Sequence, residues 1–233
     1  MSFLFKKLTR KITNYKNDKS LGSQLRSRRI TPLLEKIQQI YNEKGHVSIA
    51  DIGGTKEYWN IIPDSFLKEN VVNITIINLP DFIVSEEDNF FRYVAADACD
   101  LSIYENNYFD IAHSNSFIEH VGDWNRMLKY ANEIMRIAPY FFVQTPNYWF
   151  PIEPHCMTPI FHWLPRPIRV WLVMNFQLGH WNKATSVDQA VRLTESAKLL
   201  NKKMVTELFK GSKVTTEKFL LLPESFIVSS KSF

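Results

Sequence analysis

The sequence predicts an α/β protein: a mostly parallel seven-stranded sheet with an antiparallel C-terminal strand and helices on both faces. Three observations lead there. Short apolar runs recur between residues 46 and 146, helical or irregular crossings separate them, and two further runs adjoin each other near the C-terminus. At 233 residues and 45% hydrophobic content, with charge scattered along most of its length, the chain suits one well-cored domain and not a disordered segment.

From the start, Phe3, Leu4, Leu8 and Ile12 fall on one helical face. "RRITPLLEKIQQIYNEKG" repeats the pattern with Ile30, Leu33, Leu34, Ile37, Ile40 and Tyr41, and Gly45 stops it. Residues 1–36 carry ten Lys and Arg against two acids, +8, in a chain of net +4, so the remainder is about −4. Residues 1–45 therefore form a basic helical N-terminal extension, and 46–233 the main domain. "HVSIADI" reads as a first buried strand, "GGTKEYWNII" as loop and short helix closed by Pro63, and "VVNITIINL" as a second strand. "FRYVAAD" and "YFDIAHSN" are the third and fourth. "FIEHVGDWNRMLKYANEIMRIA" is a long helix leading to a fifth, "YFFVQTP". "KVTTEKFLLLP" and "ESFIVSSK" are adjacent strands joined by a turn at Pro223 and Glu224.

One block breaks the rhythm. Residues 147–182 concentrate Pro151, Pro154, Pro159, Pro165 and Pro167 with Trp149, Trp163, Trp171 and Trp181 and with His155, His162 and His180. The block follows the carboxyl end of the fifth strand, where open α/β sheets bind ligands. It reads as an inserted aromatic cap, extending over about 147–196.

The turn after the first strand, "DIGG", lets backbone approach a ligand closely, and Asp51 can orient the loop or accept from the ligand. Asn78-Leu79, Asp97-Ala98 and Ser114-Asn115-Ser116 end the next three strands above the same crevice. On these residues the chain resembles the class I S-adenosylmethionine-dependent methyltransferases of the type 11-like group, from about Arg26 to the end and most closely between Val47 and Pro146. The resemblance implies a Rossmann-like methyltransferase fold and S-adenosylmethionine as cofactor. It implies that Asp51, Gly53, Gly54 and Thr55 wrap the methionine part, that Asn78 holds the ribose hydroxyls, and that Leu79 packs on adenine. Asp97 would accept from the adenine amino group, Ala98 would lie near the ring, and Ser114 and Asn115 would flank the methyl donor. Two departures stand out: Thr55-Lys56 occupy the place of the family's third glycine, and Asn78 replaces its usual acid. A neutral hydrogen bond contributes about 0.5–1.5 kcal/mol against about 1.5–3 for a charged one, so the cofactor is expected to bind more weakly, not to be lost. NAD fits less well, because G-x-G-x-x-G spacing is missing and Glu57 would oppose a pyrophosphate.

Methyl transfer is an in-line displacement in which alignment of the acceptor is the protein's main contribution, and a hydroxyl acceptor also needs a base. His155 and His162 are the catalytic candidates and Glu153 a further base. His120, in "IEHV", stands either near the substrate or in a structural helix start. Trp149 and Trp163 either stack on a substrate or seal the cap. His155, His162 and Cys156 match no common zinc spacing, so no metal is expected. A catalytically inactive binding module on the same scaffold is the alternative reading.

Cys99 and Cys156 show no C-x-x-C spacing, and the four-residue apolar patch at the start is too short for a signal peptide, so a reduced, cytoplasmic protein is expected. No run reaches the ~18 apolar residues of a membrane span. The basic arm, with "RPIRVWLVMNF" presenting Trp171 and Leu172 to lipid and Arg166 and Arg169 to headgroups, makes peripheral membrane contact an expectation. The acceptor is expected to be a small, sugar- or lipid-like molecule. Nucleic acid is not expected, since "HSNS" stands where a nucleic-acid methylase would carry an N-P-P-Y-like tetrapeptide. Both monomer and homodimer remain open.

Overall fold

The computed structural model describes residues 21–83, 89–231 and 233, and side chains from residue 29 onward. The predicted helix through Phe3, Leu4, Leu8 and Ile12, with most of the basic arm, lies outside them.

Helix α1 (Leu21–Lys44) carries Pro32 within it and buries Ile30, Leu33, Ile37 and Ile40, one stripe at helical spacing. The strands that follow are β1 (Val47–Ile52), β2 (Val72–Asn78), β3 (Phe91–Ala95), β4 (Ile111–Asn115) and β5 (Tyr140–Pro146). After the cap come β8 (Lys213–Phe219) and β9 (Leu222–Ser229), with β6 (Ile152–Glu153) and β7 (Thr158–Pro159) forming a separate two-stranded ribbon inside it. The main sheet has the order β3-β2-β1-β4-β5-β9-β8. All pairs from β3 to β5 are parallel, and β9 runs antiparallel to both β5 and β8. The expected sheet is therefore present.

Strand alternation builds two core layers. Val47 and Ile49 of β1 pack toward α1, together with Trp59 of the short helix α2 (Lys56–Trp59) and Leu67 of α3 (Asp64–Glu69). Ala50 and Ile52 of the same strand face the opposite layer, where Tyr130, Ile134 and Ile137 of α4 (Trp124–Ile137) are fully buried.

Two expectations are corrected. The segment predicted as one long helix from Phe117 is a 3-10 turn, Ile118–His120, followed by α4. Asp123 caps α4 by accepting from the Arg126 N–H, a bond that fixes the helix start at Trp124, four residues after the turn ends. The C-terminal turn is at Leu220-Leu221, both with positive φ, and Pro223 and Glu224 belong to β9.

The cap has a core of its own. Helices α5 (Arg166–Asn175) and α6 (Val187–Glu195) enclose Cys156, Phe161, Val173, Leu178, Ala184 and Ala190, after which α7 (Lys202–Leu208) returns to the main body. Cys99 and Cys156 are free and buried. No helix among the described residues is long and apolar enough to cross a membrane.

Candidate functional site

The strand order reverses between β1 and β4, and above that switch point lies a cleft of about 510 Å³. The β1 loop forms its floor. Gly53 has φ +73°, and a Cβ there would lie 1.9 Å from the Phe117 ring; a Cβ on Gly54 would lie 1.8 Å from Asp51 Oδ2. Both glycines are therefore required by close approach, and Gly53 by its turn conformation as well.

Asp51 is fully buried and braces the loop from behind. Its Oδ2 accepts from Trp59 Nε1 at 2.7 Å and its Oδ1 pairs with His113 Nδ1 at 2.7 Å, while His113 Nε2 meets the Tyr58 hydroxyl at 3.2 Å. Gly53, Thr55, Asn78 and Leu79 line the cleft; Asp51 and Gly54 stand behind them. Asn78 Nδ2 donates to Gly54 O at 2.8 Å, tying the ends of β1 and β2 together.

Asp97 and Ala98 form the wall beyond β3. Asp97 accepts from the Cys99 N–H and from Arg126 Nη2 at 2.9 and 3.0 Å. Burial raises its carboxyl, but the Cys99 N–H and the guanidinium outweigh burial and hold it below the ordinary aspartate range. Arg126 is a wall residue that sequence reasoning missed. Nothing in the helical pattern distinguishes it from any exposed arginine of α4.

Beyond β4 the cleft is lined by Ser116 and Phe117, with Ser114 and Asn115 set back from it. Ser114 Oγ donates to Ile52 O inside the sheet, and Asn115 Oδ1 accepts from Arg29. The reason is that β4 stays paired with β5 through Asn115, and the chain turns only at Ser116, whose φ is +51°.

His120 closes this end of the cleft and leads to a tight polar cluster. Its Nδ1 donates to Ser196 O at 2.7 Å, and its Nε2 lies 3.1 Å from His155 Nε2. His155 Nδ1 donates to Glu153 Oε1 at 2.7 Å, and Glu153 Oε2 accepts from the Cys156 N–H. Burial lowers the affinity of His120 for a proton. In His155 burial acts the same way, but the Glu153 carboxylate outweighs it and leaves the value raised. Glu153 itself is raised by burial yet held below the usual range by His155 and the Cys156 N–H. Beneath the pair lies Glu119, 1% exposed, whose Oε2 accepts from Thr145 Oγ1 at 3.0 Å. Its Oε1 is buried without a hydrogen-bond partner among the described residues, and burial pushes the carboxyl up to about 7. Glu119 also escaped the sequence reading, although it stands next to His120.

A second cavity, of about 470 Å³, lies within the cap, with Tyr148, Glu153, His162, Arg169, Thr194 and Ser196 in its wall. His162 Nε2 donates to Tyr148 O at 2.8 Å, its Nδ1 is buried without a partner among the described residues, and burial lowers its pKa. Trp163 Nε1 donates to the same carbonyl. Trp149 is 61% exposed, with its ring centroid 6.4 Å from that of Trp163, and it borders a third hollow near Lys202 and Lys203. Neither tryptophan lines the cleft or the second cavity. On α5, Trp171 is exposed as expected. Leu172 instead packs on the cap core, Arg166 pairs with Glu195, and Arg169 turns inward to Thr194 O, because the helix rests that side on α6.

Residues 65–143, running from α3 through β5, match a family model described as a methyltransferase domain. Over that segment, about a third of the chain, the sequence is similar to methyltransferase domains. No curated protein matches the chain. Among solved structures, a SAM-dependent methyltransferase from Archaeoglobus fulgidus is 12% identical, over 85% of this chain and 92% of that one, with a TM-score of 0.49. A SAM-dependent methyltransferase from Methanosarcina mazei is 13% identical over 82% and 95%, with a TM-score of 0.47. The [4+2]-cyclase SpnF is 13% identical over 78% and 57%, with a TM-score of 0.43. The chain spans little more than half the length of the first structures it matches, 57% of the cyclase and 56% of a Nostoc punctiforme protein.

Proposed function

We propose that this protein transfers a methyl group from S-adenosylmethionine to a small-molecule acceptor of sugar- or lipid-like type. The observation that carries the reading is the position of His120. It belongs to the wall of the strand-end cleft, and its Nδ1 is held by Ser196, which belongs to the wall of the second cavity. A donor in the cleft and an acceptor entering from the cap would meet at this residue.

In this reading Gly53 and Thr55 lie along the methionine part, Asn78 bonds the ribose, Leu79 packs on adenine, and Asp97 and Ala98 receive its edge. Asp51, Gly54, Ser114 and Asn115 act by holding that frame in place. A sulfonium donor held there would supply a methyl whose departure removes its positive charge, so the residues of this chain would contribute mainly positioning, which can supply up to ~7–11 kcal/mol. Where the acceptor is a hydroxyl, His155, oriented by Glu153, takes its proton, in the manner of a base steered by a carboxylate. His162, with its unpartnered Nδ1, bonds the acceptor from across the second cavity. The cap, about 147–196, excludes water, and Trp149 and Trp163 seal its outer side. The basic extension, 1–45, brings the enzyme to anionic lipid, which vesicle flotation at low salt tests directly.

Calorimetric titration of folded protein with S-adenosylmethionine, with its demethylated product and with NAD tests the reading. Micromolar binding of the first two and none of the third is expected. Absence of heat with all three overturns it and leaves the cofactor-free binding module.

A further inference from the structure

We infer that Glu119, His120 and His155 form a binding site for one divalent transition-metal ion of the zinc class. A carboxylate oxygen of Glu119 and one ring nitrogen from each histidine all lie within 4.8 Å of one another. The orientation of the rings is what distinguishes this cluster from a chance gathering. Ser196 O can only accept, so His120 Nδ1 carries hydrogen and its Nε2 presents a lone pair; the Glu153 carboxylate fixes His155 in the same way. Metal-binding histidines are held so, with the far nitrogen donating to a carbonyl or carboxylate.

The two Nε2 atoms stand 3.1 Å apart, and two lone pairs at that distance require a positive species between them. At Zn–N lengths of about 2.0–2.1 Å, tetrahedral geometry sets two ligand nitrogens about 3.3–3.4 Å apart, so a few tenths of an ångström of relaxation suffices. A shared proton satisfies the histidines but leaves Glu119 unexplained. Among the described residues its buried Oε1 has no hydrogen-bond partner, and a buried oxygen of that kind carries a large desolvation cost unless something compensates it. A cation held by both histidines would lie beside the Glu119 carboxylate, one oxygen of which stands within 4.8 Å of the ring nitrogens, and would compensate that burial. Two imidazoles and one carboxylate form a three-ligand set, which in zinc proteins leaves a fourth position open.

Binding of the ion stands independently of turnover; its role rests on the methyl-transfer reading. An acceptor hydroxyl or thiol in the open position ionises there, its proton passing to solvent. The resulting anion attacks the sulfonium methyl: the new O–C or S–C bond forms as the methyl–sulfur bond breaks, and the electron pair of that bond neutralises the departing thioether. His155 then acts as a ligand and not as a base.

The test uses tag-free full-length protein, stripped with a chelator and titrated with Zn²⁺ against a chromophoric competitor. Co²⁺ is followed by its visible spectrum, and Mg²⁺ serves as the hard-ion control. Expected are one Zn²⁺ per chain, a tetrahedral Co²⁺ spectrum and no competition by Mg²⁺. Glu119→Gln, His120→Ala and His155→Ala should each weaken Zn²⁺ binding by about 100-fold or more, and Glu153→Gln, which only frees the ligand's orientation, by about 10–100-fold. His46→Ala should leave it unchanged. Glu119→Gln is isosteric, so its result stands even if a histidine variant fails to fold, as circular dichroism will show. Substoichiometric binding, or binding that Glu119→Gln and His155→Ala leave intact, overturns the site. Separate titration with S-adenosylmethionine keeps the two proposals distinct: cofactor binding without zinc removes only the metal, and zinc binding without cofactor removes only the methyl-transfer reading.

Discussion

Replacing Asp51 with alanine tests how the glycine loop is held. The carboxylate accepts from Trp59 Nε1 on α2 and pairs with His113 Nδ1 on β4, both at 2.7 Å and both buried, so one side chain joins two strands and a helix. Each hydrogen bond to a charged acceptor contributes about 1.5–3 kcal/mol, and truncation leaves two buried ring nitrogens without that partner. A loss of about 3–6 kcal/mol follows from the two bonds together. The neighbouring glycine provides a sharper check. A Cβ on Gly54 would meet Asp51 Oδ2 at 1.8 Å, so Gly54→Ala must expel the carboxylate and break the same two bonds. Once Asp51 is alanine, nothing remains there to expel. The double variant should therefore be about as stable as Asp51→Ala alone, giving a coupling of several kcal/mol where independent sites agree within about 0.5. Urea denaturation followed by circular dichroism measures all four corners of the cycle. Additive losses, or a loss below about 1 kcal/mol for Asp51→Ala, would refute the bracing role.

Three further outcomes follow from the geometry. Asp97→Ala should weaken binding of S-adenosylmethionine by about 1–3 kcal/mol, measured by calorimetry. It should change stability by no more than about 1 kcal/mol, because the Asp97–Arg126 pair is solvent-exposed. Gly53→Ala forces an alanine to φ +73° and its Cβ to 1.9 Å from Phe117, so a loss of about 1–3 kcal/mol and weakened cofactor binding are expected, with thermal melting and calorimetry as readouts. Asp110 is buried, which raises its carboxyl, but Lys44 and the N–H and hydroxyl of Ser48 outweigh burial and lower it. A lowered folded value means stability that is fully present above the unfolded value of about 3.9 and is lost as pH falls through the folded one. Asp110→Asn should therefore cost about 1.5–3 kcal/mol at pH 7 and progressively less below pH ~4, as urea midpoints measured across that range will show.

The sheet and the strand-end cleft were legible to different degrees, for physical reasons visible at particular residues. Strands β1 to β5 announce themselves through local periodicity: Val47 and Ile49 feed one face, Ala50 and Ile52 the other, and sequence records that pattern directly. The glycine pair was equally legible, because a tight turn against a side chain admits no Cβ. The C-terminal hairpin was found but its turn was misplaced. Proline is the usual turn signal, yet the chain reverses at Leu220-Leu221 in a left-handed conformation that leucine does not advertise. The same holds at Ser116, whose positive φ moves the cleft lining two residues beyond Ser114.

The sequence by itself determined the α/β class, the seven strands, the glycine loop and the strand-end residues Asn78, Leu79, Asp97 and Ala98 that line the cleft. All of these depend on period, turn chemistry and position at a strand end, which are properties of neighbours in the chain. Only the tertiary structure decided that Asp51 serves the loop from behind, that Arg126 reaches Asp97, and that Glu119 and His120 meet His155 while His162 faces a different cavity. Those meetings join residues from 8 to 62 positions apart through the packing of α2, α4 and the cap on the sheet. Contacts of that range are set by three-dimensional packing, on which local periodicity carries no information.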